Sequence, residues 1–243
     1  MAAMYDASGK VVLITGASRG LGRALAEAFA AAGARLALCA RGADALQDVA
    51  EGIAARGGEV VWRAADVRDE RAIGELVRAA EERWGPVTVL INNASVLGER
   101  VPLAQYPLPS WREVMDVNVT GALIATQAVL PGMRRAGTGS IINVTSGVGN
   151  VARADWGAYA VSKWALEAFT YNLALEERAS GIRVNAVDPG AMRTRMRQAA
   201  YPEEDPARQR PPEEVTPVFL WLASDASREV TGQRFRAPEW RPP

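Results

Sequence analysis

The sequence predicts an α/β fold: a doubly wound, mainly parallel sheet of about seven strands with helices on both faces. Short apolar runs rich in β-branched residues alternate with segments of helical periodicity. These runs are nearly continuous, which indicates strands buried on both faces of a parallel sheet. No repeat and no linker rich in proline, glycine or serine interrupts this order. We therefore expect a single Rossmann-type domain over residues 1–243, with irregular stretches at 191–210 and in the tail at 237–243.

The individual elements follow from the local pattern. Six apolar runs are predicted as strands: 11–15, 35–40, 59–64, 87–93, 140–146 and 182–188. A helix is predicted after the first run because apolar residues share one face and Gly33 ends the pattern; the face consists of Leu21, Leu25, Ala28, Phe29 and Ala32. A second helical face consists of Ile73, Leu76, Val77, Ala80 and Trp84. The stretch 156–177 is also predicted as a helix.

Composition excludes several function classes. Lysine plus arginine and aspartate plus glutamate are both 28, and the resulting formal charge of zero argues against a nucleic-acid partner. The absence of histidine excludes histidine-based triads and histidine metal sites, and we expect no metal. The one cysteine, Cys39, cannot form an intramolecular disulfide, and its apolar surroundings indicate a core residue.

No targeting segment or membrane span is expected. The N-terminal stretch MAAMYDASGK contains no long apolar run, so it does not match a secretory signal. No apolar run approaches the roughly 20 residues that a membrane-spanning helix needs. We therefore expect a cytoplasmic protein without a membrane partner.

A glycine-rich turn follows the first predicted strand. Gly16 permits a tight turn, Gly20 lets the backbone approach a pyrophosphate, and Gly22 allows close packing of helix and strand. The following helix N-terminus presents free N–H groups to phosphate. No Gly-Lys-Ser/Thr follows, which excludes a mononucleotide P-loop. The turn predicts a dinucleotide site with Ser18, Arg19 and Leu21 among its contacts; the alternative is a glycine-rich turn without a ligand.

The end of the second predicted strand indicates which dinucleotide binds. Ala40 and Arg41 stand where a site for NAD usually has an acidic residue for the ribose hydroxyls. Two guanidinium groups, from Arg41 and Arg19, suit a 2′-phosphate. NADP(H) is therefore favoured over NAD(H). The alternative is that Arg41 is a solvated loop residue.

A phenol and an ammonium lie four residues apart near the start of the predicted helix 156–177. Tyr159 and Lys163 in YAVSK are separated by about one helical turn, so they project from the same face. A nearby cation favours the phenolate and lowers the pKa of a tyrosine, which suits proton transfer. The alternative is an ordinary solvated helix face.

Together these motifs resemble the short-chain dehydrogenase/reductase family, in its short single-domain type, from Val11 to about Gly232. The glycine spacing is that of the short members rather than of the extended, epimerase-like ones. Further markers of the family are ADV with Asp66, NNAS at 92–95, MDVNVTG with Asn118, Ser146, and DPGAMRT at 188–194.

The resemblance implies a role for each matching residue. Tyr159 is the proton donor and acceptor, Lys163 also reaches the nicotinamide ribose, and Ser146 polarises the substrate carbonyl. Asn118 is implied to hold a water that completes a proton relay. Ser146 is preferred to its neighbour Thr145 on spacing, thirteen residues before Tyr159. Cofactor contacts are implied for Asp66, Val67, Asn93, Ala94, Tyr159, Lys163, Pro189, Gly190 and Thr194.

The chain departs from the family pattern in two places. Ser95 stands where glycine is usual, and the tail reads TGQRFRAPEW where the family commonly has a strand and Val-Asp-Gly-Gly. In the family this edge of the sheet often builds a tetramer interface, and the departure in the tail weakens that inference. The expected assembly is a homodimer or a homotetramer. The charged segment 191–210, which contains prolines, is predicted as a mobile substrate loop.

Trp156 precedes Tyr159 by three residues, which places it beside the predicted pocket. Members that reduce 3-oxoacyl groups on a carrier protein often have glutamine there, so the tryptophan argues against that activity. A flat apolar wall suits a compact or cyclic ketone, and Arg153, Arg193 and Arg195 leave room for an anionic substituent. The alternative is that Trp156 only packs the core. The predicted substrate pocket comprises Ser95, Val148, Arg153, Trp156 and Met192.

The sequence thus predicts an NADP(H)-dependent oxidoreductase that interconverts a ketone or aldehyde and an alcohol. One alternative is a catalytically idle dinucleotide-binding protein that acts as a sensor or scaffold. Within the enzymes, 3-oxoacyl-carrier-protein reductase-like activity is a second alternative. The expected partner is a small-molecule carbonyl or alcohol substrate.

Overall fold

The computed structural model describes residues 5–243; residues 1–4, the start of the stretch searched for a secretory signal, lie outside the described residues. Within residues 5–243 seven parallel strands form one sheet in the order β3-β2-β1-β4-β5-β6-β7. The strands are β1 (Val11–Thr15), β2 (Arg35–Ala40), β3 (Val60–Ala64), β4 (Val89–Asn92), β5 (Gly139–Val144), β6 (Ile182–Asp188) and β7 (Arg234–Arg236). The predicted fold class is confirmed.

Eight α-helices lie around the sheet across the same residues. They are α1 (Gly20–Ala31), α2 (Ala43–Ala54), α3 (Glu70–Trp84), α4 (Leu108–Met115), α5 (Gly121–Ala136), α6 (Gly157–Glu176), α7 (Arg195–Ala200) and α8 (Thr216–Ala223). The core on one side of the sheet includes Phe29 and Phe219, and the core on the other includes Ile73 and Val129. The helices therefore cover both faces.

The chain changes direction across the sheet between β1 and β4. Val12 of β1 pairs with Leu36 of β2 on one side and with Val89 of β4 on the other. A ligand site in an open α/β sheet lies outside the carboxyl ends of the strands at such a switch point. The glycine turn after β1 and the loop after β4 therefore border one crevice.

The outer strand β3 is less buried than the sequence pattern predicts. Trp62, Arg63 and Ala64 are exposed, and 37% of the surface of Trp62 is accessible. β3 is the first strand in the sheet order and pairs only with β2 among the described strands. Its outer side therefore has no neighbour to bury it.

One continuous helical segment, Leu108–Ala136, is long and apolar enough to cross a bilayer by length and composition alone. It contains α4, a π-helical turn at Asp116–Thr120, and α5. In this protein 56% of its most apolar window is buried, and its parts pack against α3 and α6. These contacts identify it as a core helix, with charged residues that interrupt the apolar run.

The two stretches predicted as irregular differ from each other. Segment 191–210 contains α7, capped by the Thr194 hydroxyl, which accepts from the Arg197 N–H at 3.2 Å, and a short 3₁₀ turn at Pro206–Arg208. The tail 237–243 contains no helix or strand. Its Trp240 packs against Trp221, with ring centroids 5.6 Å apart, which fixes the tail on α8.

Candidate active site

The turn after β1 favours glycine at positions 16, 20 and 22. Gly16 has φ +68° and Gly20 has φ +53°, a region that disfavours side chains. A Cβ on Gly16 would lie 2.9 Å from the Ala94 Cα, and one on Gly22 would lie 2.2 Å from the Gly16 carbonyl oxygen. The amides of Gly20, Leu21 and Gly22 begin α1, where N–H groups have no partner within the helix. The turn thus forms a cradle with donors for an anion, which fits the predicted pyrophosphate site.

Asn93 joins the cradle to the loop after β4. Its Nδ2 donates to the carbonyl oxygens of Thr15, at 2.9 Å, and of Gly16, at 3.2 Å. The Thr15 hydroxyl accepts from the amides of Asn93 and Ala94 at 3.1 and 3.0 Å. The Asn93 side chain thus ties the ends of β1 and β4 together.

Ser95, the residue that replaces the family's glycine, carries a buried hydroxyl. Its Oγ has no hydrogen-bond partner among the residues that the structure describes. A buried polar atom without a partner is costly. Ser95 follows directly on Ala94, so this unpartnered hydroxyl lies at the border of the cradle.

Three arginines lie at the predicted adenosine end. Arg41 is exposed, and its Nη1 lies 3.9 Å from Glu113 Oε1, a loose pair between two half-exposed side chains. Arg68, which was not predicted from the sequence, forms a two-point ion pair with Asp66. Its Nε donates to Oδ1 at 2.9 Å and its Nη2 donates to Oδ2 at 2.7 Å. This pairing holds the pKa of the Asp66 carboxyl below its usual range. Arg19 is exposed at the start of α1.

The predicted catalytic side chains meet beyond the carboxyl end of β5. Tyr159 and Lys163 lie on α6 and are 7% and 2% exposed. Lys163 Nζ donates to the Val144 carbonyl oxygen at 2.8 Å and lies 5.5 Å from the centre of the Tyr159 ring. The turn after Ser146 packs closely on α6, because a Cβ on Gly149 would lie 2.9 Å from the Lys163 Cβ. The fold therefore brings Ser146, Tyr159 and Lys163 together.

The electrostatics differ from the expectation that Lys163 acidifies Tyr159. Burial raises the pKa of Tyr159 to about 12; the Ser146 hydroxyl opposes this shift and the Asp188 charge adds to it. Burial lowers the pKa of Lys163 to about 8, opposed by the Glu167 charge. Both groups have lost their hydration, which penalises the charged form of each. In the protein alone, burial outweighs any effect of the cation on the phenol.

Asn118 lies in the π-helical turn rather than in a regular helix. Its Oδ1 accepts from the Val96 N–H at 2.8 Å, while its Nδ2 donates to the Val96 carbonyl oxygen at 3.0 Å and to Ser162 Oγ at 2.9 Å. Ser162 in turn donates to the Tyr159 carbonyl oxygen at 2.7 Å. The buried amide is therefore fully used, and it connects the loop after β4 with the start of α6.

Trp156 lies beside the predicted proton donor. It is 8% exposed, its ring centre is 5.7 Å from that of Tyr159, and it belongs to an apolar cluster with Val148 and Ala200. Met192 is not part of this cluster; it is buried in the core that contains Phe29 and Phe219. Arg153, by contrast, is exposed on the segment before α6.

Sequence reasoning missed Arg100, the arginine that contacts Trp156. Its guanidinium lies 4.8 Å from the ring centres of both Trp156 and Tyr201, and it donates to the Ala200 carbonyl oxygen. This cation–π stack joins the loop after β4 to α7. The local sequence offers no signal for it, because Arg100 lies in an irregular segment and its partners are 56 to 101 residues away.

Known proteins resemble the chain over nearly its whole length. Residues 10–205 match the short chain dehydrogenase family. The uncharacterized oxidoreductase YciK of Escherichia coli K12 is 36% identical over 237 residues, covering 96% of this chain and 94% of YciK. The cis-4-hydroxycyclohexanecarboxylate dehydrogenase of Sinomonas cyclohexanicum is 34% identical over 92% of each chain.

A solved structure extends the likeness to the fold. A short chain dehydrogenase of Shigella flexneri 2a, complexed with NADP, matches with a TM-score of 0.91 and 34% identity over 98% of this chain and 100% of that one. Agreement of this extent in both sequence and fold goes well beyond a shared glycine turn. The chain therefore belongs to the short-chain dehydrogenase/reductase family of oxidoreductases.

Proposed function

We propose that the chain is a single-domain, NADP(H)-dependent enzyme that interconverts a ketone or aldehyde and the corresponding alcohol. The observation that carries this proposal is the meeting of Ser146, Tyr159 and Lys163 beyond β5. The NADP in the related Shigella structure supports the choice of cofactor. A protein that only bound a dinucleotide would have no use for this set of side chains.

The crevice beside β1 and β4 fits the cofactor. Backbone N–H groups from Gly16 to Gly22 would hold the pyrophosphate, with Ser18 and Leu21 at the same turn. Arg41 and Arg19 would hold the 2′-phosphate, and Asp66 and Val67 the adenine. Thr194 lies across the cradle, since a Cβ on Gly20 would be 3.4 Å from its Cγ2. The central and nicotinamide portions would contact Asn93, Ala94, Tyr159, Lys163, Pro189, Gly190 and Thr194.

The bound cofactor supplies or accepts the hydride. Tyr159 supplies the proton to the carbonyl oxygen during reduction, and its raised pKa keeps the phenol protonated at neutral pH. The Ser146 hydroxyl donates a hydrogen bond to the same oxygen. Lys163 is an ammonium below about pH 8 and stabilises the phenolate left after proton transfer. The side chain of Asn118 links the loop after β4 to α6 through its hydrogen bonds to Val96 and Ser162.

We propose a compact, cyclic substrate with an anionic substituent. Trp156 gives a flat apolar wall next to Tyr159, and Val148 belongs to the same apolar cluster. Met192 and Ser95 are proposed to complete the pocket. Arg100 stacks on the Trp156 ring. Arg193 and Arg195 line a cavity together with Tyr201, whose ring also packs on Trp156. Arg153, exposed on the segment before α6, is proposed as a further positive charge. The relative named for 4-hydroxycyclohexanecarboxylate supports this class, because that substrate is a ring with a carboxylate. The alternative substrate class is a 3-oxoacyl group on a carrier protein, reduced by a 3-oxoacyl-carrier-protein reductase-like activity.

We also propose a cytoplasmic homo-oligomer whose contact surface includes α5 and α6. Large apolar side chains are exposed there: Leu123 (40%), Trp164 (46%), Tyr171 (41%) and Leu175 (72%). Grouped exposed apolar side chains mark interaction surfaces more often than single ones do. Light scattering at several protein concentrations tests this; a monomer at all of them would contradict it.

A carbonyl panel tests the proposed function. NADPH and NADH are each mixed with the protein and with cyclic ketones, linear ketones, aldehydes and a 3-oxoacyl thioester, and nicotinamide absorbance is followed. The proposal expects NADPH oxidation that is fastest with cyclic, carboxylate-bearing ketones. NADPH binding without oxidation of any member would instead support the idle sensor or scaffold.

A further inference from the structure

A buried ion cluster lies directly behind the candidate catalytic residues. Arg234 on β7 has a side chain that is 15% exposed, and its guanidinium reaches two carboxylates. Its Nε lies 3.0 Å from Glu167 Oε1, and its Nη2 lies 3.0 Å from Asp188 Oδ2. The side chains of Glu167 and Asp188 are 7% and 2% exposed. All three charged side chains are therefore largely excluded from solvent.

The two carboxylates of the cluster belong to segments that carry candidate site residues. Glu167 lies one helical turn after Lys163 on α6. Asp188 ends β6, and its Oδ1 accepts from the Gly190 N–H at 3.0 Å, at the start of the loop predicted to border the cofactor. Arg234 Nη2 also approaches the Ser146 carbonyl oxygen at 3.5 Å. One guanidinium thus contacts three segments: α6, the end of β6 and the turn after β5.

The charges of the cluster act on the proton-transfer groups. The Glu167 charge opposes the effect of burial on Lys163 and so favours its ammonium, while the Asp188 charge disfavours the Tyr159 phenolate. Burial raises the pKa of Glu167, and Arg234 opposes this. Arg236, with Nε 3.5 Å from Asp188 Oδ2, is a second cation at the outer edge. Arg234 therefore offsets the negative charges of two buried carboxylates. One of them, Glu167, acts on Lys163, and the other, Asp188, acts on Tyr159.

We propose that Arg234 is a positioning residue, a clamp that holds Ser146, Tyr159 and Lys163 in their working geometry through Glu167 and Asp188. The proposal rests on the proposed function of the site. Arginine suits the task because its rigid fork reaches two carboxylates and a carbonyl oxygen at once. A lysine would keep the charge, but all its donors lie on one nitrogen and cannot reproduce the fork.

The test compares Arg234→Lys with Arg183→Lys. Arg183 is a matched control: it is also a largely buried arginine of the last two strands, but it lies near the opposite end of β6 and donates to the Leu222 carbonyl oxygen at 2.8 Å and to Ser227 Oγ at 2.7 Å. For both variants kcat and the KM for NADPH are measured below the melting temperature, together with amide hydrogen exchange of segments 144–150 and 186–191.

The proposal expects kcat of Arg234→Lys to fall about tenfold or more, because small misplacements of reacting groups are costly. The KM for NADPH stays within about twofold, and exchange rises in both segments. Arg183→Lys keeps wild-type kcat and wild-type exchange there. If Arg234→Lys does not fold, Glu167→Gln, which keeps size and an acceptor oxygen, takes its place with the same expected signs.

Two results would overturn the clamp: a folded Arg234→Lys with kcat and exchange within twofold of wild type, or equal losses in the Arg183→Lys control. If the wild-type protein oxidises NADPH with none of the carbonyls in the panel, the proposed function is contradicted instead. The exchange measurement does not depend on turnover, so it decides for or against the clamp in that case as well.

Discussion

Arg41→Ala should weaken NADPH binding while it leaves NADH binding almost unchanged. Arg41 is exposed and makes only a loose contact with Glu113, so little folding stability depends on it. Its charge is free for the 2′-phosphate, and hydrogen bonds to a charged group contribute about 1.5–3 kcal/mol. At about 1.4 kcal/mol per factor of ten, NADPH affinity should fall about 10- to 150-fold.

Fluorescence titration of both nucleotides measures this effect, with Arg78→Ala as the control. Arg78 is an exposed arginine on α3, so its loss changes the net charge by the same amount. The selectivity of Arg78→Ala for NADPH over NADH should equal that of the wild type. The reasoning is refuted if Arg41→Ala weakens both nucleotides alike, or if the wild-type protein prefers NADH.

Three further predictions follow from the site. Trp156→Ala should shift relative kcat/KM toward bulkier ketones with NADPH affinity unchanged, and an unaltered order across the panel would return Trp156 to a packing role. Gly22→Ala should lower Tm by about 2–10 °C, because overpacking costs about 1–3 kcal/mol; Gly74→Ala, whose Cβ meets nothing within 4 Å, should not. Alcohol oxidation requires the Tyr159 phenolate, whose pKa is about 12, so its kcat/KM should rise with pH up to about tenfold per unit from pH 6 to 8; a flat profile would contradict this.

The sequence predicted the fold well because its strands are bounded sharply. Apolar runs at 11–15, 35–40 and 182–188 match β1, β2 and β6 to the residue. The carboxyl ends of parallel strands share one edge, so the approximate location of the glycine turn and of Tyr159 followed from the order of the elements. The ends of the other three predicted strands differ from those of β3, β4 and β5 by at most two residues.

The features that escaped prediction depend on contacts between distant parts of the chain. Arg100 donates to a carbonyl 100 residues away, and Arg234 pairs with a carboxylate 67 residues away. No local pattern encodes such pairs. The raised pKa of Tyr159 is of the same kind, since the spacing to Lys163 shows the cation but not the depth of burial. The π-helical turn at Asn118 likewise depends on its partners Val96 and Ser162.

The most direct test of the central claim, that Tyr159 transfers the proton, is Tyr159→Phe measured on the best substrate of the carbonyl panel. Loss of a general acid should lower kcat/KM by about 100-fold or more, with the dissociation constant for NADPH within about twofold of wild type. Tyr5→Phe, which removes a phenol hydroxyl next to Trp240 in the tail, should leave both values unchanged. A Tyr159→Phe variant that keeps more than about a tenth of wild-type kcat/KM would contradict the account.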